Sequence, residues 1–269
     1  MDVKEFLKEF NSRSGYDFCD YSVNSISRRL QKICDEMKMS FEQILDRVVA
    51  DKELVRAVVE DITVNTTELF RDPPVWVALG KALPRQLPKQ AMSTLWHVGC
   101  STGLEVYSDV ILLNELGLSG RTRVIGTDIN PSVLERAVRG AYPFSFNRHY
   151  LDSFAAVMAG LGVDTRFDKY FEIDTEADTM TVRPEFRSRA KFLKQDLVKD
   201  KPPFAYRVDA VFLRNVMIYF NEPLQARVMR EVLAKMHDGA LLILGKQEDL
   251  PSAIKTQFVQ QGMFYKKAR

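Results

Sequence analysis

The chain has 269 residues, 46% of them apolar and 28% charged, and a formal net charge of +2. That length can bury one large core, or a small core beside a larger one, and the near-balanced charge gives no reason to expect a nucleic-acid partner. No apolar run approaches the length of a membrane span, and the opening "MDVKEFLKEFNSRSG" is too charged for a signal peptide, so no membrane insertion is expected.

The first third reads as helices without strands. Ile26, Leu30, Ile33 and Met37 recur at helical spacing and mark one apolar face. "SFEQ" (40–43) is a capping box, with Ser40 as N-cap and Gln43 reaching back. It opens a helix carrying Phe41, Ile44, Leu45 and Val48, and a further helix covers 54–62. "ALPRQLPKQAMS" (82–93) then looks like a linker. The expected division is a helical unit over 1–85 and a larger unit over 86–269.

Beyond it, strands and helices alternate. "TLWHVG" is a strand, 105–116 a helix ended by Gly117, and "RVIGTDI" (123–129) a second strand. "NPSVLERAVRG" is a helix with Asn130 as N-cap, Pro131 at its first position and Gly140 past its end. "VDAVFLRN" (208–215) is a third strand, followed by a helix over 222–236 and, after Gly239, a fourth strand, "ALLILG". This rhythm predicts an α/β protein with a parallel, doubly wound, Rossmann-like sheet and ligands at the carboxyl ends of its strands. The segment 170–192 breaks the rhythm and reads as an inserted β-subdomain folded as a hairpin.

Cys19, Cys34 and Cys100 are odd in number and show no C-x-x-C spacing, which fits a reducing, cytoplasmic compartment better than a disulfide framework or structural zinc. His97, His149 and His237 are scattered, so no metal site is expected. "GCSTG" (99–103) has two of the three glycines of the dinucleotide fingerprint, and the next strand ends on Asp128, where a carboxylate can accept from both ribose hydroxyls. A single nucleoside ligand such as S-adenosylmethionine (SAM) fits, while an ordinary strand-to-helix turn accounts for the glycines equally well. "DPPVW" (72–76) lacks the aromatic residue with which amino-group methyltransferases stack their substrate, and reads as structural.

"NTTELFRD" (65–72), "GCSTGLEVYS" (99–108), "GTDINPSVLERAVRGAYP" (126–143) and "LRNVMIYF" (213–220) occur in the order found in the CheR family, and "LLILGKQEDL" resembles that family's last core strand. The resemblance covers nearly the whole chain. It implies a class I SAM-dependent methyltransferase with a small all-α N-terminal domain and an inserted β-subdomain, forming glutamate methyl esters on chemotaxis receptors and releasing S-adenosylhomocysteine (SAH). It further implies that Asn65, Thr67 and Arg71 close over the methionine end of SAM, with Gly99 and Gly103 forming the turn beneath it. Glu105 would engage the amino group, Asp128 the ribose, and Asp196 and Leu197 the adenine. Arg214, Asn215 and Tyr219 would lie near the transferring methyl group, with Arg71 and Tyr219 positioning the acceptor. The chain departs from the family pattern at Leu104 and Val106, where Glu and Pro are usual, at Asp196 for Asn, and at Lys246–Gln247 for a His-Ser pair.

The partner surface implied is the helix over 21–39, whose Arg28, Arg29 and Lys32 would face an acidic receptor helix. By itself such a charge run is most often a solvated face. The protein is expected to act as a monomer and not to bind the receptor's tail peptide. The expected insertion has no glycine, where tethering members carry them, and it holds Glu172, Asp174, Glu176 and Asp178. Two other classes stay open on these residues: a methyltransferase for a small molecule or RNA, and a degenerate SAM- or SAH-binding signalling protein.

Overall fold

The structure is a computed structural model that describes residues 1–63, 65–89 and 91–268. The N-terminal helices begin where side chains satisfy the free N–H groups of a first turn. Asp2 and Glu5 form a capping box at α1 (Val3–Ser14), and α2 (Val23–Met37) follows. Ser40 and Gln43 form the expected box at α3 (Phe41–Val48), and Asp51 caps α4 (Lys52–Ile62). Ile26, Leu30 and Ile33 of α2 turn inward as their spacing requires, and with Phe6, Phe10 and Ile44 they form a core of their own.

The next helix, α5 (Pro73–Gln86), runs into the stretch expected to be a linker. Pro84 sits in its last turn, where a missing N–H forfeits a single terminal hydrogen bond. Leu79 and Leu83 are buried, and Trp76 stacks on Phe212 at 5.7 Å between centroids, so α5 belongs to the core of the larger unit rather than to the helical one. Gln90, in the same expected linker, lies outside the described residues.

The larger unit follows the alternating pattern: β1 (Ser93–Val98), α6 (Leu104–Glu115), β2 (Thr122–Asp128) and α7 (Pro131–Arg139), the last capped by Asn130 and ended by Gly140. Then come β3 (Ala141–Pro143), α8 (Tyr150–Leu161), β4 (Phe171–Asp174), β5 (Thr179–Val182) and the single turn α9 (Pro184–Arg187). The chain continues through β6 (Ala190–Lys194), β7 (Val208–Leu213), α10 (Glu222–Lys235), β8 (Met236–Leu244), β9 (Phe258–Gln261) and β10 (Phe264–Lys267). The main sheet has the order β6-β2-β1-β7-β8-β10-β9. Its first five strands are parallel, and β10 runs antiparallel between β8 and β9, so that β9 at the edge points the same way as the first five. Residues of α5, α6 and α8 pack one face, and those of α10 the other.

The hairpin is present as β4–β5, and β3 joins it to make a three-stranded sheet ordered β3-β5-β4. The insertion is shorter than expected, because 190–192 belong to β6 and pair with β2. From β1 the chain builds outward through β2 and β6, then returns to the other side of β1 as β7. This reversal leaves a crevice at the carboxyl ends of β1, β2 and β7. The helical unit covers it: Ser22 N–H donates to the Tyr219 carbonyl at 2.7 Å, Asn221 N–H donates to the Asp20 carbonyl at 2.9 Å, and the Tyr21 and Phe220 rings meet at 4.9 Å.

Candidate active site at the sheet crevice

The crevice is a cavity of about 1000 Å³, counted out to its open mouth. Its floor is the turn after β1. Gly99 has φ +67°, and a Cβ there would stand 2.6 Å from Val216 Cγ2, so only glycine lets the loop after β7 pass this close. Gly103, at φ +86°, begins α6 but does not line the cavity; a Cβ there would press on Ala137 at 2.9 Å and on the Phe192 ring. Its expected ligand role is therefore corrected to one of packing.

Asp128 ends β2 and lines the cavity. Its carboxylate accepts the Ser101 N–H at 2.8 Å and the Asn130 N–H at 3.0 Å, which fixes its orientation and leaves lone pairs for further donors. Burial raises its pKa above the usual carboxylate range, against the pull of those N–H groups.

Past β6 the structure corrects a second expectation. Asp196 does not line the cavity: its carboxylate accepts the Val198 N–H at 2.8 Å and shapes its own turn. Gln195 and Leu197 line it instead. Gln195 is 2% exposed, and its Oε1 has no hydrogen-bond partner among the described residues. A buried acceptor left open beside Asp128 is what a nucleoside amine or hydroxyl would satisfy.

Glu105, in the first turn of α6, stands in a chain of alternating charges. Its Oε2 accepts from Arg214 Nη1 at 3.0 Å, and its Oε1 lies 3.0 Å from His97 Nδ1. Arg214 Nη2 reaches Asp72 Oδ2 at 2.6 Å, and Asp72 Oδ1 meets Lys246 at 2.6 Å. Burial alone would raise the pKa of Glu105, but the bond to His97 and the charge of Arg214 outweigh it and hold Glu105 ionised. Asp72 of "DPPVW" pairs with both Arg214 and Lys246 and lines the groove beside the cavity. Leu104 and Val106 are buried in the core behind α6, which accounts for apolar residues at those positions.

Arg71 and Tyr219 line the cavity, and with Thr66, Asp72, Asn215 and Lys246 they also line a groove of about 740 Å³ that opens beside it. Arg71 is about one-third exposed, with Glu68 at 4.0 Å. Asn65 and Thr67 reach the cavity from the strap after α4; Asn65 Nδ2 donates to the Glu60 carbonyl at 2.8 Å, and the Thr67 hydroxyl accepts the Glu105 N–H at 3.3 Å. Nothing local in the sequence marks Glu248 of "GKQED". Its two oxygens accept the N–H groups of Gly245, Asn215, Val216 and Met217 at 2.7–2.8 Å, which clamps the loop carrying Asn215 and Tyr219. Glu248 follows β8 and the loop it clamps follows β7, the next strand before it in the chain and its neighbour in the sheet, so its role is legible in three dimensions alone.

The basic face of α2 divides. Arg28 is exposed, and Lys32 is exposed beside Glu36 at 3.4 Å. Arg29 is half-buried and donates to the Asp61 carbonyl at 3.2 Å, joining α2 to α4. Among the described residues no group of three or more His, Cys, Asp or Glu side chains could hold a metal ion, and no helix is long and apolar enough to cross a membrane.

A parallel sheet with a glycine turn after β1, an acid ending β2 and a cavity at the switch point defines a class I SAM-dependent methyltransferase fold. Residues 65–265 match the description "CheR methyltransferase, SAM binding domain", and residues 1–63 match "CheR methyltransferase, all-alpha domain". The chain belongs to the CheR methyltransferase family, and its cofactor is SAM. It is 30% identical to "Putative methyltransferase Cher3" of Pseudomonas putida, over 93% of this chain and 89% of that protein. It is 28% identical to a "Chemotaxis protein methyltransferase" of Vibrio parahaemolyticus, over 93% and 90%. It is 29% identical to "Chemotaxis protein methyltransferase 2" of Pseudomonas aeruginosa, over 85% and 78%.

Proposed function

We propose that this protein transfers the methyl group of SAM to glutamate side chains of chemotaxis receptors in the cytoplasm, forming methyl esters and leaving SAH. The observation that carries the reading is that Arg71 and Tyr219 line both the cofactor cavity and the open groove beside it. Thr66 and Asn215 line both as well, and an acceptor entering the groove would meet the cofactor at these four residues.

When bound, SAM supplies an electrophilic methyl group on a positively charged sulfur. Asp128 and Gln195 suit its nucleoside end, and Glu105 its ammonium group. A glutamate carboxylate is already ionised near neutral pH, so no general base is required. A carboxylate oxygen lone pair would form the new O–C bond as the methyl C–S bond breaks and its electron pair goes to the sulfur of SAH, and no proton moves. The protein's work is to align the acceptor and to exclude water. Arg71 supplies a charge that draws the carboxylate in, although a tight pair would blunt its nucleophilicity. Tyr219 is held by the clasp between the units, and burial raises its pKa, so it stays a neutral hydroxyl that orients the acceptor.

The test is incubation with methyl-labelled SAM and a panel of receptor cytoplasmic fragments. Label bound to receptor and released as methanol by mild base is expected. Label that resists base contradicts the carboxylate acceptor.

A further inference from the structure

His97 is wholly buried beneath the cavity, although nothing in the proposed transfer uses it. Its Nδ1 lies 3.0 Å from Glu105 Oε1 and its Nε2 lies 3.2 Å from Asp109 Oδ2. Its ring stacks on Phe212 at 4.1 Å between centroids, which fixes the ring plane. A histidine facing ionised carboxylates on both nitrogens satisfies both only with two N–H groups, as the imidazolium. Burial raises the pKa of Asp109 and works against that state, while at His97 burial is outweighed by the bonds to Asp109 and Glu105, which raise its pKa and favour it. Asp109 is buried as well, and its Oδ1 has no partner among the described residues, so its bond to His97 is the contact that justifies a carboxylate there.

Burying such a pair is costly, and apolar residues of similar size would give a more economical core. The pair stands directly behind Glu105. Without a donor at Oε1, the Glu105 carboxylate would turn to make a two-pronged pair with Arg214, as carboxylates beside guanidinium groups do. That rotation would move Oε1 off the position it now holds in the cavity wall. With His97 on one oxygen and Arg214 on the other, the carboxylate is held at both ends.

We infer that His97, backed by Asp109, is a positioning residue that fixes the Glu105 carboxylate toward the cofactor's ammonium group and so makes the site select ligands that carry an amino-acid end. The inference rests on Glu105 as the partner of that ammonium group.

The test compares calorimetric affinities for SAH and for 5′-methylthioadenosine, which has the nucleoside but no amino-acid end. His97→Leu weakens SAH by about tenfold or more, the scale of a lost charge-assisted bond, while methylthioadenosine changes less than about twofold. His97→Gln keeps an N–H for Glu105 and restores most of the preference. Glu105→Gln is the control and loses the preference as well. If Glu105→Gln keeps it, the ammonium assignment fails and the inference with it. If Glu105→Gln loses it but His97→Leu does not, or His97→Leu weakens both ligands alike, the inference fails and the Glu105 assignment stands. Should His97→Leu not fold, Asp109→Asn gives the decision: a reduced preference for SAH supports the inference, and an unchanged preference overturns it.

Discussion

Asp128 shows how much one carboxylate carries. It fixes Ser101 and Asn130 through their N–H groups and presents its remaining lone pairs to the cavity. Asp128→Ala is expected to cost about 1–3 kcal/mol of SAH affinity, roughly 5- to 150-fold, the range for losing a charge-assisted partner. Calorimetry checks this, and an unchanged affinity removes Asp128 from the site. His97 makes a second prediction. Burial would lower its pKa, but the bonds to Asp109 and Glu105 outweigh that and raise it. The denatured chain releases this proton near pH ~6.5, so the stabilisation is fully present below that value and is lost as pH rises through the higher native pKa. The melting temperature of wild type should therefore approach that of His97→Gln as pH rises above about 6.5. A gap that does not vary with pH contradicts the buried imidazolium. Asp128 was legible in the sequence because an acid ending the second strand has a fixed place in this topology. His97, Glu248 and Gln195 were not, because each acts through a neighbour that only the folded sheet supplies.

Among the elements, those read correctly from sequence carry local signals: the capping box at α3, the Asn130-Pro131 start and Gly140 stop of α7, and the apolar runs of β1 and β7. The misread ones depend on distant partners. No helix was expected over 73–86, and Pro84 in its last turn looks like part of a linker, yet Leu83 and Leu87 hold that turn in the core. β6 is a short edge strand that declares itself only by pairing with β2. At this scale the basic face of α2 reduces to Arg28 and Lys32, because Arg29 is committed to α4. Reversing Arg28 and Lys32 to Glu should lower methylation of an acidic receptor helix, leave SAH affinity unchanged and flatten the fall of rate with salt, since exposed pairs are screened. A wild-type rate that ignores salt would leave this face without a partner. In the β-subdomain, β4 is one of the two edge strands, with β3 the other, and carries Glu172 and Asp174. The turn after β4 has no glycine to let a peptide backbone approach closely, and an acidic peptide would also meet like charge, though a basic one could still bind. Titration with the receptor tail peptide is expected to show no micromolar binding. Saturable binding in that range contradicts this reading.

At the scale of the molecule, the cavity is a joint product of two units. Tyr21 and Ile26 come from the helical unit, Gly99 and Asp128 from the sheet, and Asn65 from the strap between them. The backbone bonds of Ser22 to Tyr219 and of Asn221 to Asp20 lock the two units beside the acceptor groove. SAH should therefore slow amide hydrogen exchange at Ser22 and at Ser101 together, because a ligand that binds only the closed form suppresses opening on both sides. Slowing confined to the sheet unit would mean that the helical unit does not form part of the site. The central claim is that this joint cavity directs a methyl group to a carboxylate, and it is tested most directly by locating the group on the product. Receptor fragment treated with enzyme and SAM is digested under mildly acidic conditions, and its peptides are sequenced by tandem mass spectrometry. The account predicts the added methyl on glutamate side chains, and less of it, by roughly 5-fold or more, when Asp128→Ala replaces the wild type at limiting SAM. A methyl group on a lysine, arginine or other nitrogen would contradict it.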